Sequence, residues 1–228
     1  MSGMVRVTVD GESREAAVRG VERRPAASGP YDSVHIETSR GRVDCHYYAA
    51  SGAKKGVIMV GGVGGGFDTP ACGLYPRLCE DLQRLGISAL RVRYRYATNL
   101  AEAVLDTVIA IRFLKGEGAL SIGLIGHSLG GAVVATAAAN DEAVDTVVTL
   151  STQSYGIAPV SRLKPSTSVL VIHGEKDAIL PPASSVYAHQ LAHEPKRLIL
   201  YEGAGHMLDE AADAVYREVK DWLVENLG

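Results

Sequence analysis

The chain has 228 residues, with 23 basic and 26 acidic side chains for a net charge of −3, and 46% of its residues are hydrophobic. This length supports a sizeable core without covalent staples. The nearly balanced charge provides no broad basic face, so neither nucleic acid nor an anionic membrane surface is expected as a partner. Cys45, Cys72 and Cys79 form no CxxC or zinc-type spacing. No disulfide framework or metal site is implied, and reduced thiols in a cytoplasmic protein are the expectation. No signal-peptide core lies in Met1–Gly20, and no apolar stretch approaches the roughly 18 residues of a membrane span. A single domain, 1–228, is expected, with an N-terminal β region (1–55) ahead of the main core (56–228).

In chain order, the first third reads as β. Val5–Val9 alternates apolar and polar residues, and Asp10-Gly11 is a turn signal. A polar stretch containing Pro, Ala and Gly, Arg23–Tyr31, follows. Val34–Thr38 and Arg42–Ala49 then flank Ser39-Arg40-Gly41 and predict an antiparallel hairpin at a sheet edge. From Gly56 the texture changes. Short apolar, β-branched runs (Val57–Val60, Ile87–Val92, Ile122–Ile125, Thr146–Leu150, Val169–Ile172 and Leu198–Tyr201) alternate with longer segments. That pattern predicts an α/β fold with a mostly parallel sheet covered on both faces.

Two of the intervening helices show one apolar stripe each: Leu100, Val104, Val108, Ile111 and Leu114, and Ala211, Val215, Val219, Trp222 and Leu223. Leu129–Ala139 is small and apolar nearly all round, as a helix against the middle of a sheet would be.

The strongest local signal is Ser121-Ile122-Gly123-Leu124-Ile125-Gly126-His127-Ser128-Leu129-Gly130-Gly131, a strand entering a helix through G-x-S-x-G. A nucleophilic serine must project from a very sharp turn. A β-carbon two residues before or after it would collide with the adjoining strand or helix, hence Gly126 and Gly130. The same turn aims the Leu129 amide at a developing oxyanion.

With this junction in place, the chain from about Gly56 onward resembles the α/β-hydrolase superfamily. It is similar to compact dienelactone-hydrolase-like and carboxylesterase-like members. The resemblance implies a mostly parallel sheet with helices on both faces and a triad in the order Ser, acid, His. The strand Val169–Ile172 leads through His173-Gly174-Glu175-Lys176 to Asp177. The last strand leads through Gly203-Ala204-Gly205 to His206. Ser128 as nucleophile, His206 as general base and Asp177 as the carboxylate that orients it are therefore expected. Glu175 lies within the turn, and Asp209 suits the start of the final helix. His127 and His173 are expected to pack and hydrogen-bond beside their strand ends, and His35, His46, His189 and His193 to be structural or exposed.

The family commonly carries His-Gly after the strand equivalent to Val57–Val60, whereas this chain has Gly61-Gly62-Val63-Gly64-Gly65-Gly66. By position the second oxyanion donor should be the Val63 amide, with Gly62 beside it. The segment lacks the Lys-Ser/Thr of a P-loop and the third glycine of a dinucleotide fingerprint, so no cofactor is expected.

Only Ser151–Ser168 separates the strand after the nucleophile helix from the strand bearing the acid, too little for a multi-helix cap. An open site for small or exposed acyl groups is expected, lined by Phe67, Tyr75 and Tyr155. Arg91, Arg93 and Arg95 alternate along a strand and its exit and read as a solvent-facing or ion-paired row; the alternative is that Arg93 or Arg95, at the strand's C-terminal end, attracts an acidic substrate group. The implied activity is hydrolysis of small-molecule carboxylic esters through an acyl-enzyme. Thioester, amide or acyl-transfer chemistry on the same triad, and a non-catalytic binding module, are the alternatives.

Overall fold

The computed structural model describes residues 3–228. The ten strands of the described residues form one sheet, in the order β1-β2-β3-β4-β6-β5-β7-β8-β9-β10. The first four are β1 (Gly3–Val9), β2 (Glu12–Pro25), β3 (Asp32–Thr38) and β4 (Gly41–Tyr48). They pair antiparallel, and β4 joins β6 (Ser88–Arg93) in the same sense. From β6 on, pairing is parallel through β5 (Lys55–Val60), β7 (Ser121–His127), β8 (Val144–Leu150), β9 (Ser168–Gly174) and β10 (Lys196–Tyr201).

Strands β7 and β9 are buried at every position and β5 at all but its first, as continuous apolar runs require when both faces are covered. Helices α2 (Leu100–Gly116) and α3 (Leu129–Ala138) contribute Val104, Ile109 and Val133 to the core on one face. Helices α1 (Leu74–Arg84) and α5 (Ala212–Asn226) contribute Leu78, Val219 and Trp222 to the core on the other. Every residue of α3 is buried, in keeping with its small, apolar surface. The short helix α4 (Ala183–Leu191) lies between β9 and β10.

One N-terminal expectation is corrected. The β3–β4 hairpin is internal, because β2 pairs with β3 and β4 with β6; β1 is the edge. The polar stretch Arg23–Tyr31, which carries no strand pattern in the sequence, begins as strand, because β2 runs to Pro25 opposite Asp32. Arg23 Nε bonds Asp32 Oδ2 at 2.6 Å across that pair. This end of β2 is solvent-exposed at every position, so no alternation marks it. The Asp10-Gly11 signal holds: Val9 pairs with Glu12, and both turn residues have positive φ (49° and 80°), the two-residue turn that suits strand twist.

Candidate active site

Parallel strands place their C-terminal ends along one rim, where ligands of open α/β sheets bind. Ser128 lies between the end of β7 and the start of α3, with φ 57° and ψ −120°, a strained conformation for a side chain with a β-carbon. Its amide donates to Leu150 O of β8 at 2.8 Å. The flanking glycines are sterically required. A β-carbon on Gly126 would sit 2.0 Å from Gly130 O, and one on Gly130 would sit 2.6 Å from Gly61 O. Leu129 is the first residue of α3, so its N–H has no partner four residues back within the helix. Gly62 brings the loop after β5 against the serine; a β-carbon there would lie 3.1 Å from Ser128 Cβ and 3.5 Å from Oγ.

Asp177 follows β9, and its side chain is fully buried. Four donors surround its carboxylate. His206 Nδ1 lies 2.7 Å and His173 Nε2 2.9 Å from Oδ2, and the amides of Ile179 and Leu180 donate to Oδ1 at 2.8 and 2.9 Å. Burial alone would raise its pKa, but the Leu180 amide, His206 and the Ile179 amide outweigh it and hold the group below the usual carboxylate range.

His173 is tied down in turn. Its Nε2 lies 3.1 Å from Leu180 O, and the Ser185 hydroxyl is 2.6 Å from Nδ1. Burial lowers its pKa, which favours a neutral ring with its proton on Nε2. The packing and hydrogen bonding expected of this residue are found, and one of its partners is the Asp177 carboxylate.

The backbones carrying the acid and the histidine are joined. Glu175 N donates to Tyr201 O at 3.0 Å and Lys176 N to Ala204 O at 2.9 Å. Gly174 permits this crossing, since a β-carbon there would meet Ala204 O at 2.2 Å. The His206 loop is held from two more directions: His127 Nε2 lies 3.0 Å from His206 O, and Ala71 N donates to Met207 O at 2.7 Å. The His127 and His206 ring centroids are 4.8 Å apart, which places the general-base candidate beside the residue preceding Ser128. Among the described residues no hydrogen bond joins Ser128 Oγ to His206.

The loop opposite, residues 61–67, is anchored near its ends. Tyr75 is buried, and its hydroxyl donates to Val60 O at 3.0 Å. Arg91 of β6 donates to Phe67 O. The Phe67 ring stacks on His46 at 3.6 Å. Arg91 is 8% exposed, its Nε has no partner, and no carboxylate pairs with it among the described residues.

Two expected substrate-binding residues are corrected. Tyr75 has no surface to offer a substrate. Arg95 is engaged by Asp106 at 2.6 Å and Glu102 at 3.1 Å, leaving its side chain 4% exposed. The ion-paired reading of this arginine therefore holds, and the substrate-binding one does not. Tyr155, 67% exposed, and Val63, 56% exposed, do lie at the rim. Phe67 is half-buried in its stack. Glu175 is exposed, and Asp209 accepts from Cys72 N at 2.7 Å. His35 pairs with Asp44, His193 lies 2.9 Å from Ser161 O, and His189 lies on α4. Among the described residues no group of three or more His, Cys, Asp or Glu side chains could hold a metal, and no helix is long and apolar enough to cross a membrane.

A strained serine at a strand-to-helix turn and a buried carboxylate–imidazole pair on the last two strands define a hydrolase-type site on a doubly covered sheet. The sequence model of the alpha/beta hydrolase family matches residues 75–209, and the chain belongs to that family. A search of curated protein sequences returned no match. Solved structures share the fold. A dienelactone hydrolase from Anabaena variabilis superposes with a TM-score of 0.74 at 19% identity, covering 88% of this chain and 100% of that one. Est1E from Butyrivibrio proteoclasticus gives 0.70 at 18%, covering 85% and 98%. An acetyl xylan esterase from a Paenibacillus species gives 0.72 at 16%, covering 88% of each.

Proposed function

We propose that the protein is a cytoplasmic, single-domain serine hydrolase that cleaves small-molecule carboxylic esters without metal or cofactor. The observation that carries this reading is the buried Asp177 carboxylate at 2.7 Å from His206 Nδ1, beside the strained Ser128 turn. Esterases among the structural neighbours support it.

Ser128 Oγ attacks the ester carbonyl carbon as its proton passes to His206 Nε2. Asp177 fixes the proton on Nδ1 and stabilises the imidazolium. The carbonyl oxygen, now an anion, accepts from the Leu129 and Val63 amides, with Gly62 leaving room beside it. Collapse breaks the ester C–O bond, and the imidazolium protonates the departing alcohol. Water then attacks the acyl-serine, giving its proton to His206, and the returning proton restores Ser128. Catalytic hydrogen bonds commonly tighten only with substrate in place, and the Ser128–His206 contact closes at that step.

A fluorophosphonate probe tests the assignment. It should label the wild-type protein at Ser128 and fail on Ser128→Ala. Equal labelling of both would remove Ser128 from the role.

A further inference from the structure

The sequence contains no room for an inserted cap, yet the site is not flat. A cleft of about 470 Å³ opens beside the oxyanion side, lined by Val63, Leu129, Gln153, Tyr155 and the start of α2, and closed by the β1–β2 turn. That volume falls within the roughly 300–1,000 Å³ of small-molecule sites. Its lining includes Leu129 and Val63 but not Ser128 or His206, so it adjoins the reacting atoms as a subsite for a remote part of the substrate.

The hairpin is fixed in position. Seven residue pairs join β1 to β2, and the inward Val5, Val7 and Val9 are buried in the same core as α2. Arg112 of α2 donates to Met4 O at 2.8 Å. Asp10, Glu12 and Arg14 reach the cleft. Arg14 is occupied by Glu12 at 2.5 Å and faces Glu102 at 3.8 Å. The Asp10 carboxylate has no partner among the described residues, so the cleft carries one uncompensated negative charge. The positive end of α2 opens on the same space. It is already answered by the Asn99 side chain, which accepts from Glu102 N at 3.0 Å, and by the Glu102 carboxylate in the first turn.

We infer that the β1–β2 hairpin serves as the wall of the substrate subsite, and that Asp10 there selects esters bearing a cationic ammonium group over anionic ones. This rests on the hydrolase reading above.

The test compares para-nitrophenyl trimethylammonio-butyrate, its neutral isostere with a quaternary carbon in place of nitrogen, and the hemi-ester of glutarate. A second pair, acetylcholine and its dimethylbutyl carbon isostere, places the charge in the alcohol part. Asp10→Asn is the variant, since asparagine tolerates the left-handed backbone of this turn. In one of the two series the wild type should prefer the cation by kcat/KM. Asp10→Asn should lower the cation-to-neutral ratio about threefold to tenfold, with a smaller effect at high salt. If no ester is turned over, the same comparison is read from how well each compound protects Ser128 from a fluorophosphonate. An unchanged ratio in both series, with Ser128→Ala inactive or unlabelled, overturns the selectivity and leaves the catalytic reading intact. Hydrolysis by Ser128→Ala at the wild-type rate overturns the catalytic reading itself.

Discussion

The two halves of the site are built on opposite principles. On the Asp177–His206 side the carboxylate and the imidazole of His173 are fully partnered. The carboxylate meets four donors, His173 is bonded at both nitrogens, and two backbone hydrogen bonds tie the β9 turn to the β10 loop. On the oxyanion side, residues 61–66 include five glycines and one valine. Such a chain has high conformational entropy of its own. Its position is set near its ends by the Tyr75 hydroxyl and by the Arg91–Phe67–His46 group. The first half holds its geometry through local bonds, and the second borrows it from the sheet and α1 below.

The largest expected effect breaks the first half. Asp177→Asn removes the charge that stabilises the imidazolium and disturbs the His206 tautomer, so kcat should fall about a thousandfold to ten-thousandfold with the fold intact by circular dichroism. Arg91→Met releases the far anchor of the glycine loop. Displacing a donor by an ångström costs about a hundredfold, so kcat should fall tenfold to a hundredfold while KM stays within about threefold. Arg91→Lys should recover part of the loss; a parallel change in KM and melting temperature in both variants would mark a merely structural role.

Gly62→Ala introduces a β-carbon 3.1 Å from Ser128 Cβ. Steady-state kinetics should show kcat reduced about tenfold by crowding of the nucleophile and oxyanion donors, with little change in melting temperature.

The last effect concerns pH and stability rather than turnover. Burial pushes His127 down to about 4, with the His206 carbonyl, His206 itself, Asp68 and Asp177 as its further influences. The unfolded chain therefore binds a proton at this residue from about pH 6.5 downward that the native chain refuses until about pH 4. Stability should fall as pH drops through that window. Denaturant melts should show wild type losing about 3 kcal/mol more than His127→Asn between pH 7 and 4. Asp106, raised to about 6 chiefly by burial, acts in the opposite direction but is common to both proteins and cancels in the difference.

The legible parts of this molecule are those whose signal is local. Continuous apolar runs identified the buried strands, and Gly126, Gly130 and Ser128 identified the turn because its steric demand lies within five residues. Helix α1 was not recognised, although Leu74, Tyr75, Leu78, Cys79 and Leu82 carry helical spacing and all five are buried. The end of β2 carries no such signal, since both its faces meet water. Tyr75 was misplaced because its partner, the Val60 carbonyl, comes from another element, and for the same reason the alternation of Arg91, Arg93 and Arg95 could suggest ion pairing but not name Asp106 as the partner. The hairpin wall escaped for the same reason: the search for a cap considered insertions late in the chain, whereas the cleft is closed by its first two strands.

The account rests on Ser128 forming a covalent bond to the acyl group. Acid quenching during turnover of para-nitrophenyl acetate, followed by peptide mass spectrometry, measures this directly. The prediction is one added acetyl group on the peptide containing Ser128, accumulating faster than it decays in the wild type and absent in Ser128→Ala. Acetylation confined to another residue, or hydrolysis undiminished in Ser128→Ala, would contradict it.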